Sequence, residues 1–334
     1  SRFEEPLDLN LVFSGHGKHL DCPTLQLANH HGLMIAGEAA LSNWDAGMDM
    51  YIYGKLGNLT MTKEGINVLM TNLTGKVPPI LQRLDYIRFN GEAAGYLHDL
   101  TLTGLFHTGA GMVKTDVMMS IDEQSMSRTY SGSVASADLD LGKLLNQEKK
   151  FGKVDFNVEL KGFNYKNRYP ESYIKGIISS FEYSQYQYEN IMLDGVYKDG
   201  GFNGRLSMDD ANGSVQIDGN FNVAKTIPDF NLKASVKNLR PHDLHLSDKY
   251  ENTSISLGLT ADFTGKSIDD MNGRISLDSL QLNAPDEGGC FLDNLTITAG
   301  QVSGEKELRI NSSFMTAVIR GDYSYHTIPA SVVK

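Results

Sequence analysis

Long hydrophobic runs are missing from this sequence. No segment approaches the ~18 consecutive apolar residues that a membrane-spanning helix needs, and no basic start followed by an apolar stretch marks a secretory leader. Cysteine is scarce: Cys22 and Cys290 are the only two, which excludes a disulfide framework. Their spacing argues neither for a bond nor for a compartment. Positive charge is in deficit, with 30 Lys and Arg against 41 Asp and Glu and a formal net charge of −11. An acidic surface repels phosphate backbones, so nucleic acid is not expected as a partner. No glycine-rich phosphate loop precedes a helix, and no Gly-x-Ser-x-Gly elbow occurs. With 40% hydrophobic and 21% charged residues, the chain has the composition of a folded protein.

What the sequence does have is alternation. From Lys153 to Lys161, in Lys-Val-Asp-Phe-Asn-Val-Glu-Leu-Lys, every apolar residue falls on one face and every polar residue on the other. Ser254 to Phe263 repeats the pattern. Shorter examples are Asp49–Ile52, Asp99–Leu102, Ser214–Ile217, Asn231–Val236, Arg274–Leu277 and Asn294–Ile297. Such strands belong in antiparallel sheets with one dry face. The turn residues between them agree: Asp199-Gly200-Gly201, Asp210-Ala211-Asn212-Gly213 and Asp286-Glu287-Gly288-Gly289 favour tight reversals.

Helix signals are few. Thr62 can cap a segment with Ile66, Leu69, Met70 and Leu73 at helical spacing, weakened by Gly65. Pro78-Pro79 opens a turn carrying Ile80, Leu81 and Leu84, and Asp140 to Leu145 reads as a third short element. So little helix cannot cover a sheet of a dozen or more strands. The dry face must lie against itself, against a second sheet, or against a guest.

Chemistry-bearing clusters are weak. His16, His19, Cys22 and the pair His30-His31 could hold zinc, but spacing fixes no fourth ligand, and a solvated loop is the better reading. Asp138-x-Asp140-x-Gly142 lacks the later carboxylates of a calcium loop. Asp209-Asp210 and Asp269-Asp270 precede Asn-Gly as turn residues do. Tyr183, Tyr186 and Tyr188 could stack on a sugar or simply decorate a strand. Triplets such as Asn58-Leu59-Thr60 lie in or beside strands and carry little weight. Met50, Met61, Met118 and Met192 fall in expected strands, where thioethers suit gap-filling or a surface accepting varied chains. No catalytic residue, metal or cofactor is expected, and the chain is not read as an enzyme.

An internal repeat of about 100 residues is visible. Val215-Gln216-Ile217-Asp218-Gly219-Asn220-Phe221 resembles Ala317-Val318-Ile319-Arg320-Gly321-Asp322-Tyr323. Asn190 to Gly195 resembles Asn294 to Gly300, and Ser136 to Leu141 resembles Lys237 to Leu246. These divide the chain into expected β modules at 1–129, with helical connectors near 63–84, then 130–228 and 229–334, all parts of one array. Neither end resembles a polar cap, so the chain is expected to be part of a longer protein.

Taken in order, several motifs are similar to the TamB branch of the AsmA-like family in its Bacteroides-type form. They are Tyr130-Ser131-Gly132-Ser133-Val134, Asp138 to Asn146, Gly152-Lys153-Val154, Gly176 to Tyr183, Tyr188 to Gly195 and Phe202 to Ser207, with Pro79 to Gly91 resembling a connector. The likeness covers most of residues 30–330. It implies a mainly β fold: a long curled antiparallel sheet forming an apolar groove (a β-taco), with a few short helices. It also implies the periplasmic portion of an inner-membrane-anchored envelope protein, moving phospholipid between the inner and outer membranes. Membrane contact would come through parts outside this sequence, since the family's anchor and C-terminal domain have no counterpart here. A scaffold for outer-membrane protein assembly through strand pairing, with an outer-membrane partner protein, is the alternative; a glycan-binding β-solenoid is a third.

Transfer energies support the groove independently. Exposing a tail of about sixteen carbons to water costs on the order of 12 kcal/mol at about 0.8 kcal/mol per CH₂. A continuous apolar floor removes that cost without tight binding at any one place. The expected floor for phospholipid acyl chains is Val154, Phe156, Val158, Leu160, Val215, Ile217, Ile255, Leu257, Leu259, Ile275, Leu277, Leu295 and Ile297.

Overall fold

A computed structural model describes residues 7–122, 124–125, 127–164, 171–249, 251–266, 270–285, 288–321 and 324. Of the described residues 69% are in strands and 7% in helices, and the 20 described strands belong to one antiparallel sheet that does not close into a barrel. Two compact units divide it: residues up to 172 with 176–187, and residues 173–175 with those from 188 on.

The first unit holds β1 (Leu7–His16), β2 (His19–Asn29), β3 (Leu33–Ser42), β4 (Tyr51–Thr62), β5 (Tyr86–Tyr96), β6 (Asp99–Thr108), β7 (Gly111–Ile121) and β8 (Arg128–Ala137). The two-residue β9 (Leu139–Asp140), β10 (Phe151–Asn164) and most of β11 (Glu171–Tyr183) follow. β1 to β8 pair consecutively, and β10 pairs with β8 and β9. The second unit holds β12 (Tyr186–Lys198), most of which lies in it, then β13 (Gly201–Asp210), β14 (Gly213–Asn222), β15 (Asp229–Leu239), β16 (Ser254–Thr264), β17 (Asn272–Asn283), β18 (Cys290–Val302), β19 (Glu305–Ser312) and β20 (Thr316–Arg320). These also pair in order.

Period-two patterning explains the strands, and turn chemistry sets their register. Asp199 and Gly200 both take positive φ, at 50° and 77°, as a two-residue hairpin turn demands. The expected turn at 286–289 lies partly outside the described residues. One expected strand is shorter than its pattern: Gly47–Asp49 is a 3-10 turn and β4 begins at Tyr51, so Asp49 and Met50 are not in a strand. Four residues of alternation are too few to separate the first residues of a strand from the turn that leads into it.

The three helices lie where their caps place them. In α1 (Lys63–Thr74), the Thr62 hydroxyl accepts from the Gly65 N–H at 3.3 Å and Gly75 closes the end in the left-handed region. Then come α2 (Pro79–Gln82), with proline in its first turn, and α3 (Leu141–Leu145), where the Asp140 carboxylate accepts from the Lys143 N–H. Together they cover one end of the first unit's apolar face. Ile66, Leu84, Ile87, Ala110, Leu139 and Val154 form its buried core, flanked by Leu81, Leu141, Leu144, Phe106 and Phe156. Lys143 ties the cover down, with its Nζ 2.6 Å from Asp85 and 3.0 Å from the Gly109 carbonyl, and the Arg83 guanidinium donates to the Leu144 carbonyl.

The internal repeat has a backbone counterpart. At Gly111 (φ 126°) a Cβ would strike Asp138 and Leu139, and Asp138 is left-handed at φ 51°. About 100 residues on, Gly213 (φ 134°) is pressed in the same way against Asn238 (φ 48°) and Leu239. The Asp140 N–H donates to the Ala110 carbonyl at 2.6 Å, and the Arg240 N–H to the Asn212 carbonyl at 2.9 Å. After each bend the chain folds back over the apolar face: α3 in the first unit, and in the second the turn at 240–247. There Leu244 is fully buried, with its carbonyl accepting from the Tyr188 hydroxyl at 2.7 Å.

Candidate functional site

Strand register converts the alternating patterns into apolar rows that cross the strands. In the first unit Val154, Phe156, Val158 and Leu160 share one face of β10. Val158 stands opposite Val134, and that row continues through Thr115, Gly104, Gly91 and Leu56. Leu160 stands opposite Gly132, leading to Val117, Leu102, Ala93 and Gly54. Glycines on this face leave room for neighbouring rings: the Phe89 ring lies across both Gly91 and Gly104, where a Cβ would clash with it. Of the four expected floor residues only Val154 is buried, beneath the helical cover; the other three are partly exposed.

The remaining nine expected residues meet on one face of the second unit. Val215 faces Val236, which faces Leu257; Ile217 leads through Ala234 to Leu259, Leu277 and Leu295; Ile275 and Ile297 are opposite one another. Ile255 reaches the same face beyond a bulge, opposite Leu239 and Leu282. All nine are partly exposed, none fully buried. A face that faced a second sheet would have most of these side chains buried.

Sequence reasoning missed an aromatic row on that face. Tyr197, Phe202, Phe221, Phe230 and Phe263 stand in register on five consecutive strands. Their rings pair at 5.8 Å for Phe202 with Phe221 and 4.7 Å for Phe230 with Phe263. The signal was present, since the Asp199-Gly200 turn places Tyr197 opposite Phe202 once its type is known. Among the methionines, Met61 packs beside the helical core, whereas Met118 and Met192 lie on the opposite, polar face and are exposed.

The polar face carries ion pairs in water. Arg205 is 2.7 Å from Asp218 and Lys175 is 3.3 Å from Asp194. Hydrogen bonds from Gln216 and Arg205 hold Asp218 below its ordinary value, and one from the Tyr173 hydroxyl does the same for Asp194. Exposed pairs of this kind contribute little stability. A cleft of about 520 Å³ on this face is lined by Asp209, Asp210, Lys237 and Arg240 among others; its mixed charge matches no single ligand class.

The metal-like cluster does not assemble. His16 and His19 have ring centroids 5.5 Å apart, but His19 is engaged by Ser42 at 2.6 Å and Asp21 at 2.9 Å, and the Cys22 thiol donates to the Thr24 carbonyl. Among the described residues no three His, Cys, Asp or Glu are placed to share an ion. Asp138 pairs with Lys153 and Asp140 caps α3, while Asp210 accepts from the Glu189 and Asn212 N–H groups, as a turn residue does. Asp269 lies outside the described residues. Cys22 and Cys290 are free thiols, and both lie on the apolar face, opposite Ala39 and Leu282. No described helix is long and apolar enough to cross a membrane.

Compared with family models, with curated proteins and with solved structures, the chain has no match in any of the three.

Proposed function

We propose that this chain shields lipid hydrocarbon on the apolar faces of its sheet, as a segment of a bridge that carries phospholipid between two membranes. The observation that carries the reading is the partial exposure of a registered apolar floor: twelve of the thirteen expected residues keep part of their surface free. Burying a leucine-sized side chain is worth about 1.5–3 kcal/mol, so a face left half-open forfeits stability that a guest would restore. The reading needs no chemical step, no metal and no cofactor. The resemblance of the motif order to the TamB branch of the AsmA-like family adds the setting: a periplasmic stretch of an inner-membrane-anchored protein, its membrane contacts made by other parts.

Mass spectrometry of lipids retained by the chain after purification without detergent tests the proposal. Co-purifying phospholipid is the expected result; a lipid-free chain that binds none from vesicles would overturn it.

One observation favours the scaffold alternative. β1 pairs only with β2 among the described residues, and Leu9, Val12 and Phe13 on it are 57%, 53% and 67% exposed. An open apolar edge can receive a client strand. Photo-crosslinkers at Phe156 and Leu257 that capture protein and never lipid would favour that reading.

A further inference from the structure

Three rows of side chains cross the polar face of β2 to β6 in the first unit. His19, Ser42, Tyr51, Tyr96 and Asp99 stand in register in the first row. Asp21, Ala40, Tyr53, Ala94 and Thr101 form the second, and Glu38, Lys55, Glu92 and Thr103 the third. Each is one residue out of phase with Leu20, Leu41, Ile52 or Leu100, so these rows point away from the apolar face.

The rows combine aromatic rings with negative charge. The rings of Tyr51 and Tyr96 meet edge-on with centroids 5.4 Å apart, and His98 stacks on Tyr96 at the same distance. Tyr96 is 44% exposed, and Tyr53 stands between two alanines that cannot cover its ring. Four carboxylates, Asp21, Glu38, Glu92 and Asp99, face one cation, Lys55, which already lies between two of them. The Tyr53 phenol feels this field. It is held above its ordinary value first by its hydrogen bond to Glu38 at 3.0 Å, then by partial burial and by the charges of Glu38 and Glu92.

We propose that this polar face docks a short, extended, arginine-bearing segment of a partner protein, its guanidinium groups laid on the tyrosine rings and paired with Glu38, Glu92 and Asp99. Charge complementarity selects a cationic partner. Arginine fits better than lysine, because a planar guanidinium stacks on an aromatic ring while its fork binds a carboxylate. A pleated face is a platform and not an enclosed cavity, which suits another chain better than a small molecule. Five strands by three rows span about 19 Å by 14 Å, or about 270 Å², room for about five extended residues. That is well below the about 800 Å² per partner of a stable domain interface, so a segment is the better match. The docking is independent of lipid carriage, which uses the opposite face.

Calorimetric titration of the full chain with a blocked hexapeptide alternating arginine and glycine, at low ionic strength, tests this. The peptide is expected to bind, and its lysine counterpart to bind more weakly. Tyr51→Ala and Tyr96→Ala are each expected to weaken the arginine peptide about two- to fivefold. Glu92→Gln and Asp99→Asn, which keep the shape of the surface, are expected to weaken it as well, and they decide the matter should a tyrosine variant fail to fold. Asp262→Asn, an exposed carboxylate on the polar face of the second unit, is expected to change nothing. No binding, equal affinity for the lysine peptide, unchanged binding in the first-unit variants, or an equal loss in Asp262→Asn would each overturn the assignment. Cellohexaose binding that the tyrosine variants abolish, with no binding of the arginine peptide, would overturn it in favour of a glycan.

Discussion

Leu259→Asp separates an open floor from a filled core. Leu259 stands between Ala234 and Leu277 in the second unit and is partly exposed. Removing its buried part forfeits about 1–2 kcal/mol of the 1.5–3 kcal/mol that full burial of leucine is worth. The lower strand propensity of aspartate adds up to about 1 kcal/mol, and the carboxylate itself stays hydrated while the face is empty. The expected loss by urea unfolding is therefore about 3 kcal/mol at most. Ile66→Ala, in the sealed core at 1% exposure, is expected to cost about 2–5 kcal/mol although it introduces no charge. Lipid responds in the opposite order. Hydrocarbon laid over an unpaired carboxylate costs several kcal/mol, so retained phospholipid is expected to fall by at least about tenfold, each factor of ten being about 1.4 kcal/mol. Ile66→Ala is expected to leave retention near the wild-type level. Should Leu259→Asp instead unfold the chain as a buried charge does, the face is occupied by the protein itself and the reasoning fails.

Other expectations follow from single side chains. Thr115 has a buried hydroxyl with no partner on the apolar face, so Thr115→Val is expected to raise stability by about 1 kcal/mol in urea; a loss would mean the hydroxyl is satisfied in solution. Gly213→Ala forces a Cβ to within 2.5 Å of the Leu239 Cα at φ 134°, and Gly111→Ala does the same at the matching bend. Each is expected to cost about 3 kcal/mol, and a large disparity between them would argue against a structural repeat. Hydrogen bonds from Arg320 and Arg309 hold Glu307 below its ordinary value of 4.5. A depressed folded value gives stability that is full above 4.5 and fades as pH falls through the lower folded value. Urea midpoints between neutral and acid pH should fall more in the wild type than in Glu307→Gln; parallel slopes would contradict the triad's role.

Much of this architecture was readable from residues alone, where polarity alternates sharply. β10 and β16 read directly because their outer faces carry Lys, Asp, Asn and Ser against Val, Phe, Ile and Leu inside. The caps at Thr62 and Asp140 and the proline opening α2 were equally plain. β3 was opaque: Leu33-Met34-Ile35-Ala36-Gly37-Glu38-Ala39-Ala40 puts small or apolar residues on both faces, so the period-two contrast vanishes although the strand spans Leu33–Ser42. The covering turn at 240–247 was hidden for another reason. The repeat matched Lys237–Leu246 to Ser136–Leu141, but only the bend at Asn238 and the Tyr188 hydroxyl show Leu244 entering the core. Long-range packing of one leucine leaves no local trace.

Lipid carriage requires one face of each strand to be open to hydrocarbon while the other faces water. A photo-crosslinker walked through β16 from Ser254 to Thr264, on chain purified without detergent, tests this one residue at a time. Phospholipid adducts are predicted at Ile255, Leu257, Leu259 and Phe263 and not at Ser256, Thr260 or Asp262. Adducts on both sets alike, or on neither, would contradict it.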